Sequence, residues 1–368
     1  MAGISGQDGL RRDTRYFPSD IVETAGPAYG CGMLVPTAAP DLPHAQRERC
    51  DFYEQIAASH LTPLWEVLHG LVPESPNSPC VPAGWRYSDV RPHLMRAGHL
   101  ITAKEAERRV LILENPALRG ESSITQTLYA GLQLLLPGEV APSHRHTQSA
   151  LRLVLEGEGA YTAVGGERTQ MLPGDFIITP SMTWHEHGNP GNAPVVWLDG
   201  LDIPLLRSLS AGFAEKFSQE SHPVTRPDDA AAGASPLFNY RFSTTRSTLR
   251  RVSSRVPPDP YHGCALRFLN PTTGATPIPT IGTYVQLLPA QFHSRPYRAT
   301  DGRVFCCLEG SGRIETDTWC FEFGARDVFV VPSWIAYRLH ATEEAVLFSF
   351  SDRPVQQAFD LWREERLS

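Results

Sequence analysis

The sequence predicts an all-β-dominated protein of two barrels with flanking helices. Three observations point there: short apolar segments separated by turn residues from Ser123 onward, the same order of signals repeated in the second half, and a length of 368 residues, which suits about two domains.

Residues 1–50 are rich in Gly, Pro and isolated charges without a sustained period, and read as an N-terminal arm. Residues 51–120 read as a helical and extended lead-in. From Asp51 the chain spaces Phe52, Ile56, Leu61, Leu64 and Val67 at helical intervals, broken by Pro63, which predicts a helical segment packed on a barrel. Residues 121–220 read as the first barrel. Its strands are expected at 128–136, 151–156, 161–164 and 176–179, divided by Pro137-Gly138, Gly157-Glu158-Gly159, Gly165-Gly166 and Pro173-Gly174. Residues 221–262 read as a Pro- and Ala-rich linker, and 263–368 as the second barrel. There Glu309-Gly310-Ser311-Gly312 echoes Glu156-Gly157-Glu158-Gly159, and Asp327 with Pro332-Ser333 echoes Asp175 with Pro180-Ser181.

A net charge of −7 argues against nucleic-acid binding, which needs a basic face; the short basic run from Leu249 to Arg255 reads as a solvated segment. No run of about twenty apolar residues is present to span a membrane. The first twenty residues carry charges and lack the apolar core of a secretory signal. Seven cysteines in no regular pattern, two of them adjacent at Cys306-Cys307, read as reduced thiols. These features describe a soluble, cytoplasmic protein.

The most specific stretch is 138–189. On a strand, side chains alternate faces, so His144 and His146 of His-Arg-His point the same way and can share one ion. Folding a later strand back beside them in a barrel brings His185 to complete a set of three nitrogens. Neutral imidazole suits Fe, Zn, Cu and Ni, and three protein ligands leave positions open, which points to catalysis rather than a structural site. In the second copy Tyr337 stands where His185 would, and His293 falls four residues out of frame, so no metal is expected there.

The pattern G-x5-H-x-H followed by G-x5-P-x-M-x2-H-x3-N resembles the two motifs of the cupin superfamily, with two departures. The glutamate that often follows H-x-H is replaced around Ala150-Leu151, and Met182 stands where glycine is usual. The stretches Glu107–Pro116, Ser122–Gln133, His144–Arg152 and Trp197–Pro204 narrow the resemblance to the gentisate 1,2-dioxygenase family. The resemblance implies a bicupin, two double-stranded β-helix (jelly-roll) barrels, with one Fe(II) per subunit on His144, His146 and His185 of the first barrel. It further implies cleavage of gentisate (2,5-dihydroxybenzoate) by O2 to maleylpyruvate, and a homo-oligomer, a tetramer by family habit. Salicylate and 1-hydroxy-2-naphthoate dioxygenases are the nearest competing activities. A non-enzymatic metal- or ligand-binding cupin is the competitor from another class.

An anionic aromatic substrate needs cations besides the metal. Arg152 lies six residues past His146, on the same face, and the resemblance matches it and Arg108 to substrate-binding arginines, with Arg109 an adjacent rival. Gln133, Gly131 and Tyr129 share strand parity: Gln133 as a hydrogen-bonding catalytic group, Gly131 as room for the ring, Tyr129 as a ring contact. Monohydroxy-acid relatives carry tryptophan at the Tyr129 position, so tyrosine suggests gentisate. His187 shares the His185 face as a fourth ligand or a hydrogen-bond and proton-carrying group, and Asp199 is placed to orient a histidine or take a proton.

Overall fold

The computed structural model describes residues 44–226 and 238–368, so most of the expected arm lies outside the described residues. The chain divides into a unit ending at Glu74 and a unit of Ser75–Ser368. In the first, α1 (His44–Ala57) begins seven residues before the expected start at Asp51, and α2 (Leu64–Leu71) follows with Pro63 as its N-cap. Proline fits that position because its missing N–H would be unbonded in any case. The two helices are joined by Trp65 Nε1, which donates to Tyr53 Oη at 2.8 Å, and neither contains a buried residue. The segment expected to pack on a barrel thus belongs to this first unit.

The second unit opens with β1 (Ala83–Trp85), α3 (Tyr87–Leu100), α4 (Ala103–Ala106) and β2 (Val110–Ile112). The first barrel comprises β3 (Tyr129–Leu135), β4 (Val140–His146), β5 (Ala150–Glu156), β6 (Tyr161–Val164) and β7 (Glu167–Gln170). It continues through β8 (Phe176–Thr179), β9 (His185–Gly188), β10 (Val195–Leu201), α5 (Ile203–Ser208) and β11 (Ala214–Lys216). Next come β12 (Asn239–Tyr240) and α6 (Phe242–Ser253), inside the span expected to be linker. The second barrel repeats the order: β13 (Cys264–Arg267), β14 (Gly282–Leu288), β15 (Tyr297–Ala299), β16 (Arg303–Glu309) and β17 (Gly312–Thr316). β18 (Cys320–Phe323), β19 (Val328–Val331), β20 (Tyr337–Ala341), β21 (Ala345–Ser351), α7 (Arg353–Ala358) and β22 (Glu364–Arg366) complete it.

Each barrel is a six-stranded sheet facing a five-stranded one: β12-β8-β5-β10-β3-β2 over β11-β4-β9-β6-β7, and β1-β19-β16-β21-β14-β13 over β18-β17-β20-β15-β22. The barrels exchange edge strands. β1, ahead of the first barrel, pairs with β19 of the second (Trp85↔Val328), while β12, ahead of the second, pairs with β8 of the first (Tyr240↔Phe176). Both exposed edges are thereby covered.

The repeated sequence signals are the contacts of this exchange. Asp327 Oδ1 accepts the N–H of Tyr87 at 2.7 Å at the start of α3, and Asp175 Oδ1 accepts that of Phe242 at 2.9 Å at the start of α6. Further along, Arg91 of α3 donates to Glu156 at 2.7 Å and Arg246 of α6 to Glu309 at 2.6 Å. Each helix is therefore capped by one barrel and braced to the other. The basic run read as solvated falls on α6, where Leu249 is fully buried.

A second reciprocal pair closes the interface. Asp202, after β10, accepts Ser149 N at 2.9 Å and Thr280 Oγ1 at 2.5 Å; Asp352, after β21, accepts Gly302 N at 3.0 Å and Thr127 Oγ1 at 3.0 Å. Leu128, Leu132, Leu153 and Phe176 of the first barrel share one apolar core with Val304, Val328, Phe348 and Phe350 of the second.

Replacing Asp352 by Ala leaves the Gly302 N–H and Thr127 hydroxyl without their buried acceptor and is expected to cost about 2 kcal/mol. Urea denaturation should show a lower midpoint, with Asp352→Asn falling between the two.

Candidate active site

β4 and β9 bring the three histidines together, with His144 directly opposite His185 in the ladder. Ring centroids lie 5.1 Å apart for His144–His146, 4.3 Å for His144–His185 and 4.8 Å for His146–His185. One ligand nitrogen from each ring falls within 4.8 Å of the other two. The turn into β9 places Met182 at φ +56° while its N–H donates to the His146 carbonyl at 2.7 Å. The left-handed conformation explains why glycine is usual there. Trp334, at φ +63°, occupies the equivalent turn of the second barrel.

Backbone carbonyls set the ring orientations. His146 Nδ1 lies 2.7 Å from Gln148 O and His185 Nδ1 2.9 Å from Thr183 O. A carbonyl only accepts, so both Nδ1 atoms carry the proton and both Nε2 lone pairs are free. At His144 the Pro142 carbonyl is 3.3 Å from Nδ1, and it also accepts from Arg108 Nη2 at 3.0 Å, while the guanidinium touches the same Nδ1. Because a guanidinium cannot accept, a metal-bearing His144 and Arg108 would share that carbonyl rather than bond each other. Burial pushes His144 down to about 3 and His146 to about 4, and holds His185 well below the ordinary value. At neutral pH all three imidazoles are uncharged, so no proton competes with a metal, and the donor set fits a divalent ion of the first transition row.

The histidines open onto a cavity of about 220 Å³. An apolar protein cavity of about 150 Å³ holds benzene, so this one suits a single substituted ring. Arg108, Arg152, Gln133, Tyr129 and Asp199, all named from the sequence, line it. Arg109, the adjacent rival, does not line the cavity; it is buried and donates to Glu139 at 2.8 Å. Val110, Ala150, Leu201 and Ile203 complete an apolar wall that the sequence reading missed. Three were accessible to it, since Val110, Ala150 and Leu201 stand two residues from Arg108, Arg152 and Asp199 and share their faces.

Two expected residues sit elsewhere. Gly131 is outside the cavity wall; a Cβ there would lie 2.5 Å from Val110 Cγ1 and 2.9 Å from Tyr129 Oη, so glycine makes room for these two side chains rather than for a ring directly. His187 lies behind the wall, its ring 6.0 Å from that of His185 and 5.2 Å from Trp197. It is fully buried, and neither ring nitrogen has a hydrogen-bond partner.

The cavity has an internal counterion. Arg152 Nη1 donates to Thr179 Oγ1 at 2.5 Å, and its Nε is 3.7 Å from Asp199 Oδ1, too far for a hydrogen bond. Asp199 accepts from Trp197 Nε1 at 3.0 Å, and burial pushes its carboxyl up to about 6. Burial lowers Arg108 to about 9, which leaves it charged at pH 7. Two guanidiniums facing one carboxylate give an excess of positive charge.

In the second barrel Tyr297 and Tyr337 are ladder partners as His144 and His185 are in the first. Their rings fill the interior with Phe305, Phe329 and Leu339. His293 is off that frame and meets His340, Nδ1 to Nδ1, at 2.6 Å.

Residues 131–201 match the cupin domain family. The chain is 46% identical over 340 residues to gentisate 1,2-dioxygenase 1 of Aquipseudomonas alcaligenes, covering 88% of this chain and 98% of that protein. It is 37% identical over 343 residues to a gentisate 1,2-dioxygenase of a Streptomyces species, covering 86% and 95%. Among solved structures, salicylate 1,2-dioxygenase from Pseudaminobacter salicylatoxidans superposes with a TM-score of 0.80 at 32% identity, covering 89% of this chain and 99% of that one. That enzyme is also known as its adduct with gentisate.

A three-histidine site predicts that His185→Ala loses bound metal while His187→Ala keeps about one ion per chain. Elemental analysis after loading separates the two; equal loss in both would make His187 a ligand.

Proposed function

The chain belongs to the gentisate 1,2-dioxygenase family of cupin dioxygenases, and from that premise we propose that it cleaves the ring of gentisate with O2 to give maleylpyruvate at the first-barrel site. The observation that supports this most is a ring-sized cavity joining three uncharged imidazoles to two guanidiniums, Arg152 buried and Arg108 half-buried. Both atoms of O2 enter the product, so the overall change is addition of O2 with cleavage of one ring carbon–carbon bond.

His144, His146 and His185 would hold Fe(II), which when bound supplies a centre that orients ring and O2 together and lets electron density pass between them. Arg152 and Arg108 attract the substrate carboxylate and fix its direction, since their positive charge exceeds what Asp199 neutralises. Val110, Ala150, Leu201 and Ile203 face the ring and exclude water from it. Tyr129 and Gln133 contact the ring and its oxygens from β3, and Gly131 lets Tyr129 lie close to Val110. Asp199, ionised at pH 7 and on the cavity wall, is placed to take the proton of the distal hydroxyl. His187, buried behind the wall with neither ring nitrogen hydrogen-bonded, packs against Trp197 and backs the ligand strand rather than carrying a proton to the ring.

A hydroxyl para to the metal-directed oxygen raises the electron supply of the ring, so gentisate should react and salicylate should not. The test is O2 uptake by anaerobically Fe(II)-loaded protein with each acid; comparable rates would refute the gentisate reading. In the same assay kcat/KM should fall as pH drops through about 6, where the Asp199 carboxylate is protonated. Asp199→Asn should lower kcat/KM by about 100-fold or more and lose that acid limb.

A further inference from the structure

The ladder between the ligand strands is interrupted where it matters most. Ala141 pairs with His187 and His144 with His185, with a bulge between them at Pro142 and Ser143. Pro142 has no N–H to give, and the N–H of Ser143 is turned away from β9.

A segment from beyond the barrel takes up the loose backbone. Ser143 N donates to Glu220 O at 2.8 Å, and Phe217 N donates to Ser143 O at 3.0 Å. β11 continues this edge, with Lys216 opposite His144 and Ala214 opposite His146. The Trp184 ring, just before His185, meets Phe217 edge-on at 4.9 Å.

At the end of this strap His222 is buried behind the ligands. Its Nε2 accepts the N–H of Gly166 at 3.3 Å, which places the ring proton on Nδ1. Nδ1 lies 3.1 Å from Glu186 Oε2 and 3.0 Å from Ser143 Oγ, and the same carboxylate oxygen accepts His222 N at 2.8 Å. Glu186 follows His185 on β9, and Ser143 precedes His144 on β4. One imidazole thus ties the two ligand strands together from the face opposite the site, at the bulge.

The second barrel repeats the strap but not the tie. β22 pairs with β15 as β11 does with β4, yet Arg338 stands at the Glu186 position and Pro296 at the Ser143 position. The tie occurs where the ligands occur.

We propose that Glu186, His222 and Ser143 form a clamp that sets the distance between His144 and His185, and so act as positioning residues for the metal. The inference rests on the three-histidine metal reading. Asn and Gln substitutions at His222 separate geometry from bulk: Asn can present an N–H near the Nδ1 position, whereas Gln places its donor farther out.

The experiment is titration of metal-free protein with Co(II), followed by its visible absorption, and with Fe(II) under anaerobic conditions, with apoprotein melting as a check on folding. Wild-type should bind one ion. His222→Gln and Glu186→Ala should bind about 10- to 100-fold more weakly with an altered Co(II) spectrum, and His222→Asn should stay within a few-fold of wild-type. Wild-type affinity and spectrum in His222→Gln and Glu186→Ala would overturn the clamp alone. Equal loss in His222→Asn and His222→Gln would also overturn it, by reducing His222 to packing. A wild-type protein that takes up no metal would overturn the metal reading, and the clamp with it.

Discussion

The hydrogen bonds from ligand imidazoles to backbone carbonyls, His146 to Gln148 and His185 to Thr183, govern the rest of the site. They fix the tautomer and aim each Nε2 inward, while burial keeps the rings uncharged. With no carboxylate among the three, the charge of a bound cation is left for the substrate to balance. The guanidiniums of Arg108 and Arg152 line the same cavity, where under the proposed reading they would direct an anionic ring to that cation, with Asp199 the single carboxylate among the lining residues.

The same fold supports two barrels with different interiors. In the first, Trp197, Met171 and Val154 pack one part of the barrel and leave the histidine end open. In the second, tyrosines occupy the ladder positions of His144 and His185 and join a phenylalanine core. The filled barrel holds the edge strand β1 and caps α3 through Asp327, so it supports the lead-in from which β2 carries Val110 to the cavity.

Much of this was legible because it depends on local period and on repeats. Alternation along β4 put His144 and His146 on one face, whereas Arg152 meets them from β5 of the facing sheet, where alternation across the intervening turn carries no information. The echoed Glu-Gly and Asp signals marked two copies of one barrel. The structure adds the reason for the echo: Glu156 with Glu309 and Asp175 with Asp327 brace and cap the two exchanged helices. The exchange itself was not legible, because β1 and β12 are two or three residues long and pair with strands of the other barrel. α6 was hidden by its arginines, which obscure the spacing of Phe242, Leu249 and Val252. His222 lies 36 residues past Glu186 with no periodic signal between them, so only tertiary structure brings them together.

Three histidines on one side of a bound ion should leave room for ring and oxygen at once. Electron paramagnetic resonance of the Fe(II) protein under nitric oxide, used as a stand-in for O2, tests this directly when gentisate is added. The nitrosyl signal should persist and change shape as gentisate binds. A signal that gentisate abolishes by displacing nitric oxide, or leaves untouched at saturation, would contradict it.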